Sequence, residues 1–344
     1  MTPRPSALLL LLQCWLTACT ATGAAASAGT AFTIPNGGAG AGFDDLRYSK
    51  SLHRVLVPGG RAGVLALVEP ETGAMTAIEG FSKARSFAGG HDFGVTSVDE
   101  GRGLLFATDR TTRTVNVINP SARTIIASFK LGAEPDYVRY VEPTRELWIS
   151  EPAAEQLEIV SMSNDTPPTL SRAATIHVDN GPESLVIDAL RGRAYTHRWQ
   201  ASTLAIDVKT REVVGDWQNG CRGSRGIDLE PEHGFVFAAC SEGRLSLLDP
   251  EHDGKIVSSV SAGSGYDVMG YNASLRHAYL AGGKCSCMTT VDVSNAGELS
   301  LLGRTAAPRD THCVVADDVG SAWVCEPSKG QVRKISDPYP ATRE

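Results

Sequence analysis

Short runs of alternating apolar and polar residues, each closed by Gly, Asp, Asn, Pro or Ser, recur along the chain beyond residue 30, and residues 95–131 show the unit whole. It reads as an apolar run closed by a turn at 99–103, then runs at 104–108, 114–118 and 124–129. Period-two alternation bounded by turn formers predicts half-buried strands rather than helices. Four such strands in succession make one antiparallel sheet of the size of a propeller blade.

The middle of the second strand can be followed through the chain as Leu56, Phe106, Ile149, Tyr195, Phe237, Tyr279 and Trp323, at spacings of 50, 43, 46, 42, 42 and 44 residues. That is the repeat length of propeller blades with loop insertions. The third strands end in a shared turn, as in Ile118-Asn119-Pro120, Leu248-Asp249-Pro250 and Ser336-Asp337-Pro338, where an Asp or Asn bonds the backbone two residues on. Blade three departs with Ser163-Asn164-Asp165-Thr166-Pro167-Pro168, read as an insertion on the rim. The last blade supplies three strands, whereas residues 31–35 form a strand with no blade of their own. Pairing the two closes the ring and removes an open sheet edge. The expected fold is therefore all-β: a seven-bladed β-propeller of four-stranded antiparallel blades over residues 31–338, its N-terminal strand closing the last blade, with a tail at 339–344.

The repeats resemble the YVTN family of seven-bladed propellers. Gly132-Ala133-Glu134-Pro135, Arg145-Glu146-Leu147-Trp148-Ile149 and Thr114-Val115-Asn116-Val117-Ile118-Asn119 carry the likeness best, and it covers about residues 43–338. The resemblance implies the fold. For function it implies a range, since the same repeat serves lactonase-like enzymes, large subunits of amine dehydrogenases, cofactor carriers and plain binding proteins.

Composition narrows the class. With 35 Gly and 18 Pro in 344 residues the chain favours turns, and a net charge of −7 with scattered Lys and Arg excludes a nucleic-acid surface. Residues 1–18 combine Arg4, an apolar run at 7–12 and a small-residue end, the pattern of an export signal too short to span a bilayer. Leu16-Thr17-Ala18-Cys19 resembles the lipobox of bacterial lipoproteins, which implies cleavage before Cys19 and a diacylglycerol on its thiol. The alternative is an ordinary signal cut in the Ala-rich stretch that follows. Residues 19–30 bury almost nothing and read as a flexible tether, and Thr20 after the modified Cys looks like sorting to the outer membrane. The expected location is the periplasmic face of that membrane, with lipid contact through the anchor only.

In a propeller, the loops leading into the inner strands and those joining strands two and three share one face around the central channel. The polar residues just before each inner strand are Asp44 and Asp45, His91 and Asp92, Asp136 and Tyr137, Glu183, Arg222 and Arg225, Asp267, and Asp310 with His312. Six of these seven positions carry a carboxylate, and a ring of like charge at a channel mouth attracts cations. The competing reading is that each Asp caps a turn and faces water. His91, beside Asp92, is a candidate general base, and His197, followed by Arg198 and Trp199, is another. His53, His233, His252 and His277 are expected in solvated turns, and His177 on an outer strand.

Six cysteines fall between Cys221 and Cys325, all expected near one face of blades five to seven. An even, clustered set in an oxidising compartment points to disulfides. Cys221 with Cys240 and Cys313 with Cys325 are the expected pairs, because strands one and two of a blade are neighbours. Cys285 and Cys287 are awkward to join at their spacing. Cys285, Cys287, His312 and Cys313 together form the alternative, a soft site for copper or zinc. No Cys-x-x-Cys-His occurs, so no covalent c-type haem is expected. Nor is there a hydrolase elbow, phosphate loop or calcium loop. The reading is an exported, lipid-anchored binding or scaffold propeller whose partner is a protein or a small cationic ligand. The alternative is a periplasmic redox or metal-handling subunit, or a lactonase- or amine-dehydrogenase-like enzyme, for which His91, Asp92, Arg225 and His312 are the residues to test.

Overall fold

The inner strands Arg47–Ser49, Val95–Gly101, Val138–Val141, Glu183–Asp188, Ser224–Glu230, Tyr266–Asn272 and Val314–Ala316 stand around a central channel, each opening a four-stranded antiparallel sheet. The structure is a computed structural model and describes Met1 and residues 29–341. Adjacent inner strands touch in order round the ring, and blade seven meets blade one. Of the segments read as signal and tether, residues 2–28, with Cys19, lie outside the described residues, whereas Thr30, read as the end of the tether, already opens the strand Thr30–Thr33. Among the described residues no helix is long and apolar enough to cross a membrane.

Alternation along the second strands builds the core between blades. Side chains of odd and even positions point to opposite faces of a strand. In blade one, Val55 and Val57 therefore pack with Trp323 and Val332 of blade seven, while Leu56 packs with Val98 and Leu105 of blade two. Each such aliphatic side chain, fully buried, contributes ~1.5–3 kcal/mol. All seven residues that mark the repeat are buried in these contacts.

Ring closure is as expected. Strand Thr30–Thr33 pairs antiparallel with Gln331–Ser336, setting Phe32 opposite Val332, and Ile34 enters the core between blades one and seven. The repeated turn forms as read at Asp249, which accepts from the Glu251 amide at 2.9 Å, whereas Asn119 accepts one residue further on, from the Ala122 amide at 3.0 Å. Residues 163–168 form a loop between the third and outer strands of blade three, exposed at 164–167 with Pro168 buried, and tied by the Ser163 amide to the Thr169 carbonyl.

One histidine expected in a solvated turn is found elsewhere. His277 is fully buried rather than solvated, because it opens a second strand beneath the turn that ends blade seven. There its Nδ1 lies 2.7 Å from Asp337, which also accepts from the Tyr279 hydroxyl.

Candidate ligand site at the channel mouth

Close backbone packing brings the first two loops together. Gly60, at φ +50°, leaves 2.2 Å between an imagined Cβ and the Gly42 carbonyl, and Gly94, at φ +76°, leaves 2.3 Å to the Gly60 carbonyl. No side chain fits in that stack, so Asp44 and His91 come side by side across the blade boundary.

Three blades are then clamped by one guanidinium. Arg110, buried at the end of the second strand of blade two, lies 3.4 Å from Asp44 and 3.1 Å from Asp92, and also bonds Asp136. His91 Nδ1 lies 3.2 Å from Asp44, and its ring stacks on His312 with centroids 5.4 Å apart. His312 is oriented by two carbonyl oxygens, Phe43 at 2.8 Å and Asp310 at 3.0 Å. Burial alone would push the Asp44 carboxyl up, but His91 and Arg110 hold it down at about 2. Asp44 in turn pushes His91 up to about 9, against the opposing effect of burial.

The opposite side of the mouth is less neutralised. Glu183 accepts from the Trp199 indole at 2.5 Å, and Arg225 stands 3.9 Å away. Burial, reinforced by the charge of Asp267, pushes Glu183 up to about 7. Asp267 is likewise raised by burial, with His312 favouring its charged form and Asp44 opposing it. It thus senses both halves of the mouth.

Below lies a floor. Arg139 makes two bonds to Asp45, at 2.6 and 2.9 Å, and stacks over the Tyr137 ring at 5.1 Å; Asp45 is 2% and Arg139 4% exposed. Burial, with the charges of Asp44, Asp45, Asp267 and Glu183, raises the Tyr137 hydroxyl well above its usual value. Tyr137, Arg139 and Asp45 also line a cavity of about 170 Å³ further down the channel, with Arg47, Asp228 and Tyr271. Beside this floor the charged side chains of the mouth gather as one polar cluster, the bowl of the channel end.

Of the residues singled out in the sequence, His91, Asp136, Tyr137, Glu183, Arg225, Asp267 and His312 share this bowl, and Asp92 stands on its exposed rim. Two do not take part. Asp310 caps a turn by accepting from the Ser328 amide at 2.8 Å, and Arg222 is exposed beside Glu242. His197 is a wall residue rather than a base: fully buried between Thr203 and the Gly226 carbonyl, it is pushed by burial down to about 4. Arg110 and Arg139 were not singled out. Arg110 follows a second strand directly, on the face already identified, so its position was readable; Arg139 lies within an inner strand, where nothing marks it.

The six cysteines from Cys221 to Cys325 are joined in three pairs, Cys221–Cys240 and Cys313–Cys325 as expected, and Cys285–Cys287 despite the spacing that made the bond look awkward. Ser286, at φ 50°, takes the left-handed conformation and turns the chain so that its two neighbours meet with Cα atoms 5.2 Å apart. The copper or zinc set of Cys285, Cys287, His312 and Cys313 is corrected accordingly. Its three sulfurs are bonded to other sulfurs and are not thiolate ligands.

Fold and site together define a seven-bladed β-propeller with a buried, mixed-charge bowl at one end of its channel. No protein-family model and no curated protein matches the chain. In structure it is similar to a chain of the mitotic checkpoint complex, at TM-score 0.72 and 11% identity over 97% of this chain and 99% of that one. It is also similar to hydrazine synthase of Kuenenia stuttgartiensis (0.69, 10%, covering 87% and 96%). The Cps50 (Swd1) β-propeller domain of Myceliophteria thermophila gives 0.70 at 11% identity, covering 89% and 99%. At these identities the likeness is one of fold.

Proposed function

We propose that this protein is an exported, lipid-anchored propeller that captures a small cationic ligand in the bowl at its channel mouth. The observation that carries the reading is the pairing of Glu183 with Asp267. Each is raised by burial, Glu183 further by the charge of Asp267, and the facing guanidinium, Arg225, is 3.9 Å from Glu183. Like charges held in a water-poor site repel, and a cationic group placed between them removes that cost. Trp199, fixed by its bond to Glu183, offers an aromatic ring beside the same carboxylate. Export is supported by the signal-like residues 1–18, the lipobox around Cys19, and the three cysteine pairs, which suit an oxidising compartment.

The test is thermal unfolding of the protein with small polyamines, quaternary amines and divalent metals, and with matched anions. One class of cation raises Tm in the native chain, and the shift disappears in the E183Q/D267N double variant. No shift with any cation, or an equal shift in the variant, overturns the reading. Anchoring is tested separately: Cys19→Ala releases the protein from the membrane fraction if the thiol carries the lipid.

A second reading, turnover of the bound ligand, is favoured by Glu183 itself. A carboxyl held at about 7 exchanges its proton at neutral pH, as a general acid or base requires.

A further inference from the structure

The three disulfides occupy different environments. Cys221, Cys240, Cys313 and Cys325 are all buried, whereas Cys285 is half-buried in the loop that joins the second and third strands of blade six. Cys221–Cys240 and Cys313–Cys325 bridge sequence separations of 19 and 12, and Cys285–Cys287 a separation of 2. A crosslink restricts the unfolded chain less as its loop shortens, so the Cys285–Cys287 bond contributes least to global stability. The loop has other supports: Gly283 donates to the Gly265 carbonyl at 3.1 Å, Cys285 to the Ser264 carbonyl at 3.4 Å, and Ala307 to the Ser286 carbonyl at 3.0 Å. Opening this bond therefore leaves the loop tied on both sides.

We propose that Cys285–Cys287 is a thiol–disulfide exchange site that accepts two electrons from a dithiol while the other two disulfides stay closed. This inference is independent of the cationic ligand. An incoming thiolate attacks the Cys285 sulfur, the more exposed of the pair; the bond to Cys287 breaks, and Cys287 leaves as a thiolate that takes up a proton. The resulting mixed disulfide joins the donor to Cys285. The donor's second thiolate then attacks its own sulfur in that bond, releasing Cys285 as a thiolate and leaving the donor as a disulfide. Exposure selects the site for such exchange.

The position gives the exchange a consequence. Gly283 approaches the Thr311 carbonyl so closely that an added Cβ would lie 3.0 Å from it, and Thr311 precedes His312. On its other side the loop is bonded to Ser264 and Gly265, which lead to Asp267. The exchange site thus adjoins two members of the bowl.

The test titrates the native protein with dithiothreitol, alkylates free thiols at each step, and locates them by peptide mass spectrometry while far-ultraviolet circular dichroism follows the fold. The expected result is modification of Cys285 and Cys287 at a dithiol concentration at least tenfold below that needed for the other four cysteines, with unchanged dichroism. A C285S/C287S variant should keep its fold and lose the low-concentration phase. Simultaneous opening of all three pairs, or opening only as the dichroism collapses, overturns the proposal. So does a low-concentration phase that persists in the variant.

Discussion

His91 and Asp44 meet across the boundary between the first two blades, ring nitrogen to carboxylate at 3.2 Å. The contact couples the join between blades to pH. His91 is raised from 6.5 to about 9, so the native state holds its proton more tightly than the unfolded chain. Its stabilisation is complete below pH 6.5 and is lost as pH rises through about 9. With the ring partly open to solvent, the contribution is ~2 kcal/mol. His91→Gln should be less stable than the native chain by about that amount at pH 6 and converge with it near pH 10. Urea unfolding across this range checks the linkage; parallel curves would show that His91 is not coupled to folding. Asp44, lowered from 3.8 to about 2, works in the opposite range: its stabilisation is present above 3.8 and lost as pH falls through about 2.

Glu183 has the reverse sign. Its carboxyl is raised from 4.5 to about 7, so its charged form opposes folding, and the cost grows from pH 4.5 to about 7 and stays constant above. Glu183→Gln removes that cost. At pH 8 the variant should be more stable than the native chain by ~1–3 kcal/mol, with the gain absent at pH 4. The same substitution should abolish the Tm shift with cations. A variant both more stable and unable to bind separates a functional carboxylate from a structural one, for which loss of stability is the expected result.

The floor behaves as a buried ion pair. Asp45 accepts from Arg139 and also from Ser97, whose oxygen accepts from the Val138 amide. Asp45→Ala strands a guanidinium in the channel and should cost ~3–5 kcal/mol. The D45L/R139M double variant, which removes both charges, should cost clearly less than D45A alone. Equilibrium unfolding of the native chain, D45A and D45L/R139M checks this; a double variant as unstable as D45A or more so would mean that the stranded charge is not what D45A loses.

The repeat was legible because burial and period coincide at Leu56, Phe106 and the five later centres, each flanked by turn residues whose local bonds need no tertiary partner. Asp267 and Glu183 were legible for a related reason: the repeat puts them at the entry to an inner strand, and they are the second and first residues of Tyr266–Asn272 and Glu183–Asp188, at the channel mouth. His277 was not. Its partner, Asp337, lies sixty residues away in the next blade, and only packing of blade seven on blade six makes the site dry. Arg139 is likewise defined by Asp45, ninety-four residues earlier. Cys285–Cys287 depended on the left-handed backbone of Ser286, a conformation that its residue type does not announce.

Ring closure carries the last prediction. Strand Thr30–Thr33 covers the edge of Gln331–Ser336, Phe32 lies against Trp323 with centroids 5.6 Å apart, and Ile34 is buried between blades one and seven. A chain beginning at residue 36 loses all three and presents an unpaired edge to other molecules. It should lose stability, since the buried Ile34 alone accounts for ~1.5–3 kcal/mol and the half-buried Phe32 adds to it. It should also aggregate on heating where the full chain does not. Phe32→Ala, which keeps the strand and its backbone bonds, should lower Tm without promoting aggregation. Light scattering during thermal unfolding distinguishes the two effects. Equal aggregation of the point variant and the truncated chain would place the protection in the Phe32 side chain rather than in the covered edge.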